Sequence, residues 1–177
     1  MSSRISTRVA LLLCSSILLH SQTVSWTVYL RRAGPLRIGM TLDEVKKALG
    51  DGAAKLEGLE PETVAYCAYL RSTKAPQNLG FMFKKYRLVR IDVNGPEIKT
   101  AAGASIGDSE DRIKQLYPGR ITVEKHHYSP ETGHYLIYKP QDPADRNLGM
   151  LFETEAGKVT SFRVGTVEAI GLAEGCS

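Results

Sequence analysis

Three histidines, His126, His127 and His134, lie close together in the chain, and neutral imidazoles are good ligands for zinc or copper. On a strand, the adjacent His126 and His127 point to opposite faces, so at most one of them can join His134. No cysteine or paired acid completes a tetrahedral set. The expectation is therefore no metal and no cofactor, with the histidines as exposed strand residues. Gly103-Ala104-Ser105-Ile106-Gly107 has the Gly-x-Ser-x-Gly spacing of a nucleophile elbow, but that device needs a strand, a sharp turn and a helix within a large α/β sheet. Here the run leads into a capped surface helix, so Ser105 is given no catalytic role and no enzyme activity is expected. Recognition chemistry remains. Tyr66, Tyr69, Tyr128, Tyr135 and Tyr138 offer large contact area with a polar tip. With His134 they form the candidate ligand-binding set; packing within the fold is the competing reading, because tyrosine also suits strands.

Two of these tyrosine pairs belong to a repeated segment. Pro61-Glu62-Thr63-Val64-Ala65-Tyr66-Cys67-Ala68-Tyr69 returns 69 positions later as Pro130-Glu131-Thr132-Gly133-His134-Tyr135-Leu136-Ile137-Tyr138, and Asn78–Phe83 returns as Asn147–Phe152. Ten of the 23 positions from Pro61 to Phe83 are identical without a gap. A supersecondary unit has been duplicated. Upstream of each copy stands a short amphipathic helix. Thr41 and Glu44 make a capping box, Leu42, Val45 and Leu49 share one side, and Gly50 ends the helix. At an offset of 68, Ser109 matches Thr41 and Ile113 matches Val45.

Strand-like runs follow each helix: 54–59 (weak), 63–71, 79–84 and 87–93 in the first copy, and 120–128, 134–139, 148–153 and 158–164 in the second. The last pair reads as a hairpin in both, with Glu155-Ala156-Gly157 as the second turn. Val89, Ile91 and Val93 alternate with Leu88, Arg90 and Asp92 as in a half-buried strand, and Phe162 and Val164 take the places of Ile91 and Val93. Val28 and Leu30 suggest a short strand ahead of the first helix, and Val167–Leu172 an edge strand at the end. The expected fold class is α+β: two tandem helix-plus-antiparallel-meander repeats, about 36–99 and 100–164, forming one sheet with the helices on one face and the other face open.

At 177 residues, 42% hydrophobic and 24% charged, the chain suits one ordinary globular domain. Residues 1–25 read as a signal peptide, with Arg4 and Arg8 before the apolar run Val9–Leu19, which is too short to span a bilayer. A retained anchor and a lipidated Cys14 are lesser alternatives. Without residues 1–25 the net charge falls from +4 to about +2, and the dense run Lys84-Lys85-Tyr86-Arg87 sits where a hairpin tip would. No nucleic-acid partner is expected, nor any transmembrane segment in the mature chain. Cys67 and Cys176 are left, an even count in an exported chain, which argues for one disulfide. It closes a loop of about 110 residues, for which the chain-entropy model gives up to about 5 kcal/mol.

The stretch Gly39-Met40-Thr41-Leu42-Asp43-Glu44-Val45-Lys46-Lys47-Ala48-Leu49-Gly50, opening an antiparallel meander, resembles the BamE (SmpA/OmlA) family of outer-membrane lipoproteins. Its duplication, over about residues 36–164, is similar to the β-lactamase inhibitory protein family, in which two such repeats make a curved sheet that grips an enzyme. The resemblance implies that fold and a non-catalytic role. The expectation is a periplasmic or secreted protein that binds an envelope or secreted protein partner through the open sheet face, with a carbohydrate-binding, lectin-like module as the alternative.

Overall fold

The computed structural model describes residues 25–50 and 66–176. All of the expected signal peptide except Ser25, the expected weak strand 54–59 and the repeated residues Pro61–Ala65 lie outside the described residues.

Local chemistry builds the same clasp twice. Helix α1 (Leu42–Leu49) opens on Thr41, whose Oγ1 accepts from the Glu44 amide at 3.2 Å while Glu44 Oε2 accepts from the Thr41 amide at 2.7 Å. Helix α2 (Glu110–Leu116) opens on Ser109, whose hydroxyl accepts from the Arg112 amide. Each cap then locks onto a hairpin. In the first copy, Gly39 N–H donates to Leu88 O, Leu88 N–H to Met40 O and Leu42 N–H to Tyr86 O. In the second, Gly107 donates to Val159 O, Val159 to Asp108 O and Glu110 to Gly157 O. Gly39 and Gly107 stand at φ of 93° and 90°, a region that side chains disfavour. The hairpin tips carry positive φ at Lys85–Tyr86 and at Ala156–Gly157, the two-residue turn whose twist suits paired strands.

The main sheet has seven antiparallel strands in the order β4 (Ala68–Leu70), β5 (Leu79–Lys84), β6 (Arg87–Val93), β10 (Lys158–Thr166), β9 (Leu148–Glu155), β8 (Gly133–Tyr138) and β7 (Ile121–Lys125). The two copies meet where β6 pairs with β10, Ile91 facing Val164 and Val93 facing Phe162. Phe81, Phe83, Leu88, Ile91, Val93, Phe152, Phe162 and Val164 are all essentially inaccessible and form the core face. Leu88 takes the core position expected for Val89, because the β5–β6 register shifts between Met82 and Phe83 and such a bulge re-aims the chain. Across the hairpins, Phe81 faces Ile91 whereas Met150 faces Val164. Val164 is therefore the counterpart of Ile91, not of Val93.

The expected α+β class, with helices covering one sheet face, is overturned. The described chain is mostly β, with ten strands in two sheets; its α-helices are eight, seven and four residues long. Seven strands at about 4.8 Å spacing span roughly 30 Å, while an eight-residue helix is only about 12 Å long. Such helices cannot roof the sheet. They contribute Val45, Leu49 and Ile113 to the core, and the rest of that layer comes from loops and a small second sheet of β1 (Val28–Tyr29), β2 (Arg32–Ala33) and β3 (Leu36–Arg37), with Val28, Ala33 and Leu36 buried.

The other face is not open either. Val167–Leu172, expected as an edge strand, begins as helix α3 (Val167–Ile170), capped by Thr166 Oγ1 accepting from the Ala169 amide at 3.2 Å. Gly149 leaves the space that the Ile170 side chain fills. Residues 171–176 then run back over the sheet to a disulfide between Cys176 and Cys67, Cα atoms 5.3 Å apart, within the usual range for a bridge.

Candidate functional site

The tail-side face is assembled by register. Gly80, Asp92, Arg163, Leu151, Ile137 and Thr122 form one row of Cα partners across the sheet, and Ser161, Glu153, Tyr135 and Glu124 form the next. In its middle two buried arginines hold the tail down. Arg90 Nη1 donates to Ala169 O at 2.8 Å and to Leu172 O at 2.7 Å, and its Nε pairs with Asp92. Its Nη2 meets the Tyr69 hydroxyl. Arg163 donates from Nε to Ile170 O and from Nη1 to Glu153 Oε1, both at 2.6 Å, while Ser161 Oγ donates to the other Glu153 oxygen. Burial pushes the Asp92 carboxyl up, against the pull of Arg90. Burial, followed by the charge of Asp92, likewise pushes the Tyr69 hydroxyl up.

The tail divides this face into two clefts. One, of about 320 Å³, lies between Tyr69, Arg71, Asn94 and Glu153 on one side and Ala173–Gly175 on the other. The second, about 470 Å³, lies across the tail and is lined by His127, Tyr128 and Tyr135. At its lip the rings cluster, His126 at 4.6 Å from Tyr135 and His127 at 4.8 Å from Tyr128. The Tyr128 hydroxyl bonds Glu174 of the tail, and that bond raises its pKa. Its side chain is nonetheless 58% exposed.

The predicted set is thus split. Tyr69, Tyr128 and Tyr135 share the tail-side face, with Tyr66 fully outside the sheet beside Cys67. Tyr138 and His134 belong to the opposite face. Tyr138 packs at a tilt against Tyr117 with centroids 5.0 Å apart, and His134 Nδ1 pairs with Glu110 Oε1 at 2.7 Å, where Thr154 Oγ1 also donates at 2.8 Å. A register slip is the cause. Leu70 pairs with Phe81, but Tyr138 pairs with Met150, the repeat partner of Phe81. The β4–β5 connection is one residue shorter than its copy, and a one-residue slip turns every side chain to the other face. Tyr69 and Tyr138 match in sequence and face opposite ways.

His126 Nδ1 accepts from the amides of Tyr128 and Ser129 and so folds the turn after β7. Ser105 is nearly buried in the loop before α2, its hydroxyl donating to Pro96 O at 2.8 Å. Among the described residues no three His, Cys, Asp or Glu side chains are grouped to hold a metal ion, and no helix is long and apolar enough to cross a membrane. The residues that sequence reasoning missed are Arg90, Asp92, Glu153 and Arg163. Their one signal is charge alternating with β-branched and aromatic residues in β6 and β10, which also describes a solvated strand.

No family model matches the chain, and no curated protein does. Among solved structures it is similar to an extracellular protein containing a SCP domain from Bacillus anthracis str. Ames, at 12% identity over 74% of this chain and a TM-score of 0.43. The match spans 44% of that protein, and a likeness this slight assigns neither fold nor activity.

Proposed function

We propose that this is a non-catalytic binding protein of the periplasm or extracellular space, and that its tail-side face takes a protein partner. The supporting observation is the ring cluster of His126, His127, Tyr128 and Tyr135 at the lip of the larger cleft. Tyrosine with nearby charged and backbone groups is the composition of interface anchors. The Cys67–Cys176 bridge suits an oxidising compartment. If the partner is a secreted enzyme, occupation of its cleft by this face would inhibit it. The smaller, polar cleft by Tyr69, Arg71 and Asn94 supports the second reading, a carbohydrate ligand.

Affinity capture from an envelope or secreted fraction tests the first reading. A stoichiometric protein should be retained by the wild type and lost with Tyr128→Ala and Tyr135→Ala. An empty column together with retention on a polysaccharide matrix, sensitive to Tyr69→Ala, would favour the carbohydrate instead.

A further inference from the structure

Strand β7 ends the sheet, and its residues Thr122–Lys125 are all exposed. Its inner side is fully used. Arg120 O accepts from Lys139 N–H, and His126 N–H donates to Gly133 O, so the even-numbered residues turn their backbone groups toward β8. By the alternation of an antiparallel ladder, Ile121, Val123 and Lys125 turn theirs outward. Exposed edges are usually blunted by very short strands, lysine, proline, a bulge or a covering loop, and of these β7 has its modest length and one lysine, Lys125, at its last position. β7 contains no proline, and its register with β8 runs unbroken from Ile121 to Lys125.

We propose that this edge is self-complementary and pairs antiparallel with β7 of a second copy of the chain. Outward backbone groups must meet outward ones, so odd residues must oppose odd residues, which leaves few registers. Centring on Glu124 opposes two carboxylates. Centring on Val123 sets Lys125 against Ile121 and leaves Glu124 facing Thr122. Centring on Thr122 sets Ile121 against Val123 twice in the hydrogen-bonded positions. It also sets Arg120 against Glu124 twice in the close, non-hydrogen-bonded positions, about 4.5 Å between Cα atoms. Only this last register satisfies every charge on the strand's even face. It joins two seven-stranded sheets into one, and it does not depend on the binding role of the tail-side face.

A five-residue edge covers much less than the roughly 1,600 Å² of a standard interface, so the dimer is weak and reversible. Sedimentation equilibrium from about 10 μM to about 1 mM, a range that spans weak affinities, should show a monomer–dimer equilibrium. Glu124→Arg alone and Arg120→Glu alone should each weaken it by roughly tenfold, since opposed charges become like charges; the double swap should restore it. At high concentration the amides of Ile121 and Val123 should exchange more slowly. Val123→Pro removes one outward N–H without touching the β8 ladder and should abolish the dimer. If that variant does not fold, the charge swap decides. A monomer at every concentration, or a dimer indifferent to the reversals and with unchanged amide exchange at Ile121 and Val123, overturns the proposal.

Discussion

Arg90 shows how much can rest on one side chain. It is almost fully buried, yet it serves Asp92, the Tyr69 hydroxyl and two carbonyls at the end of α3. Removing one partner of a buried charge network costs far more than the network's net worth, because the remaining groups stay desolvated. Arg90→Met should therefore lower stability by about 3–5 kcal/mol in urea unfolding. Glu110 makes a second residue-scale prediction. Burial pushes its carboxyl up, but hydrogen bonds with His134 and Thr154, helped by the charges of His134 and Lys114, outweigh this and hold it below the ordinary 4.5. With the folded value lower, the unfolded chain binds more protons between the two values, so stability rises with pH across that window. The contribution is complete above 4.5 and lost as pH falls through the folded value. Asp92, raised from 3.8, works in the opposite sense, its ionisation opposing the fold as pH climbs through its folded value. Glu110→Gln should cost about 1 kcal/mol near neutrality, a loss that shrinks in acid as the wild type is protonated. Unfolding curves from pH 7 down to about 3 measure this, and a difference that stays constant with pH would exclude the assigned role.

The clasp between cap and hairpin is the unit that the chain duplicates. Thr41 and Ser109 are legible as caps in the sequence because capping needs only groups three residues apart. The partner of each cap is some fifty residues away, at Tyr86–Leu88 and Gly157–Val159, and no local pattern names it. Both clasps turn on a glycine with positive φ. Open space surrounds the position of a Cβ at Gly39 and at Gly107, so the cost of Gly→Ala there is backbone strain without a clash. Each substitution should cost about 1 kcal/mol or somewhat more, and the two should add, being separate clasps. Thermal unfolding of both single variants and the double variant checks this.

At the scale of the molecule, the disulfide ties the first copy to the tail that follows the second. Cys67→Ser with Cys176→Ser should lower stability by about 2–4 kcal/mol, less than the roughly 5 kcal/mol entropy ceiling, because a real unfolded chain is more compact than the open coil behind that ceiling. The amides of Leu172 and Gly175, bonded within the tail, should exchange faster, leaving those of β9 and β10 unchanged. The pairing of Cys67 with Cys176 was legible because only two cysteines lie outside the stretch that reads as a signal peptide. The duplication, both capped helices and both hairpin tips were legible for a shared reason: each is set by residues a few positions apart. What only the tertiary structure decided is which way things face. A connection one residue shorter turned Tyr69 away from the side that its repeat partner Tyr138 faces. Two buried arginines also brought the tail across a face that the strand pattern leaves bare. Register and closure depend on contacts between distant segments, whose free energies no local spacing encodes.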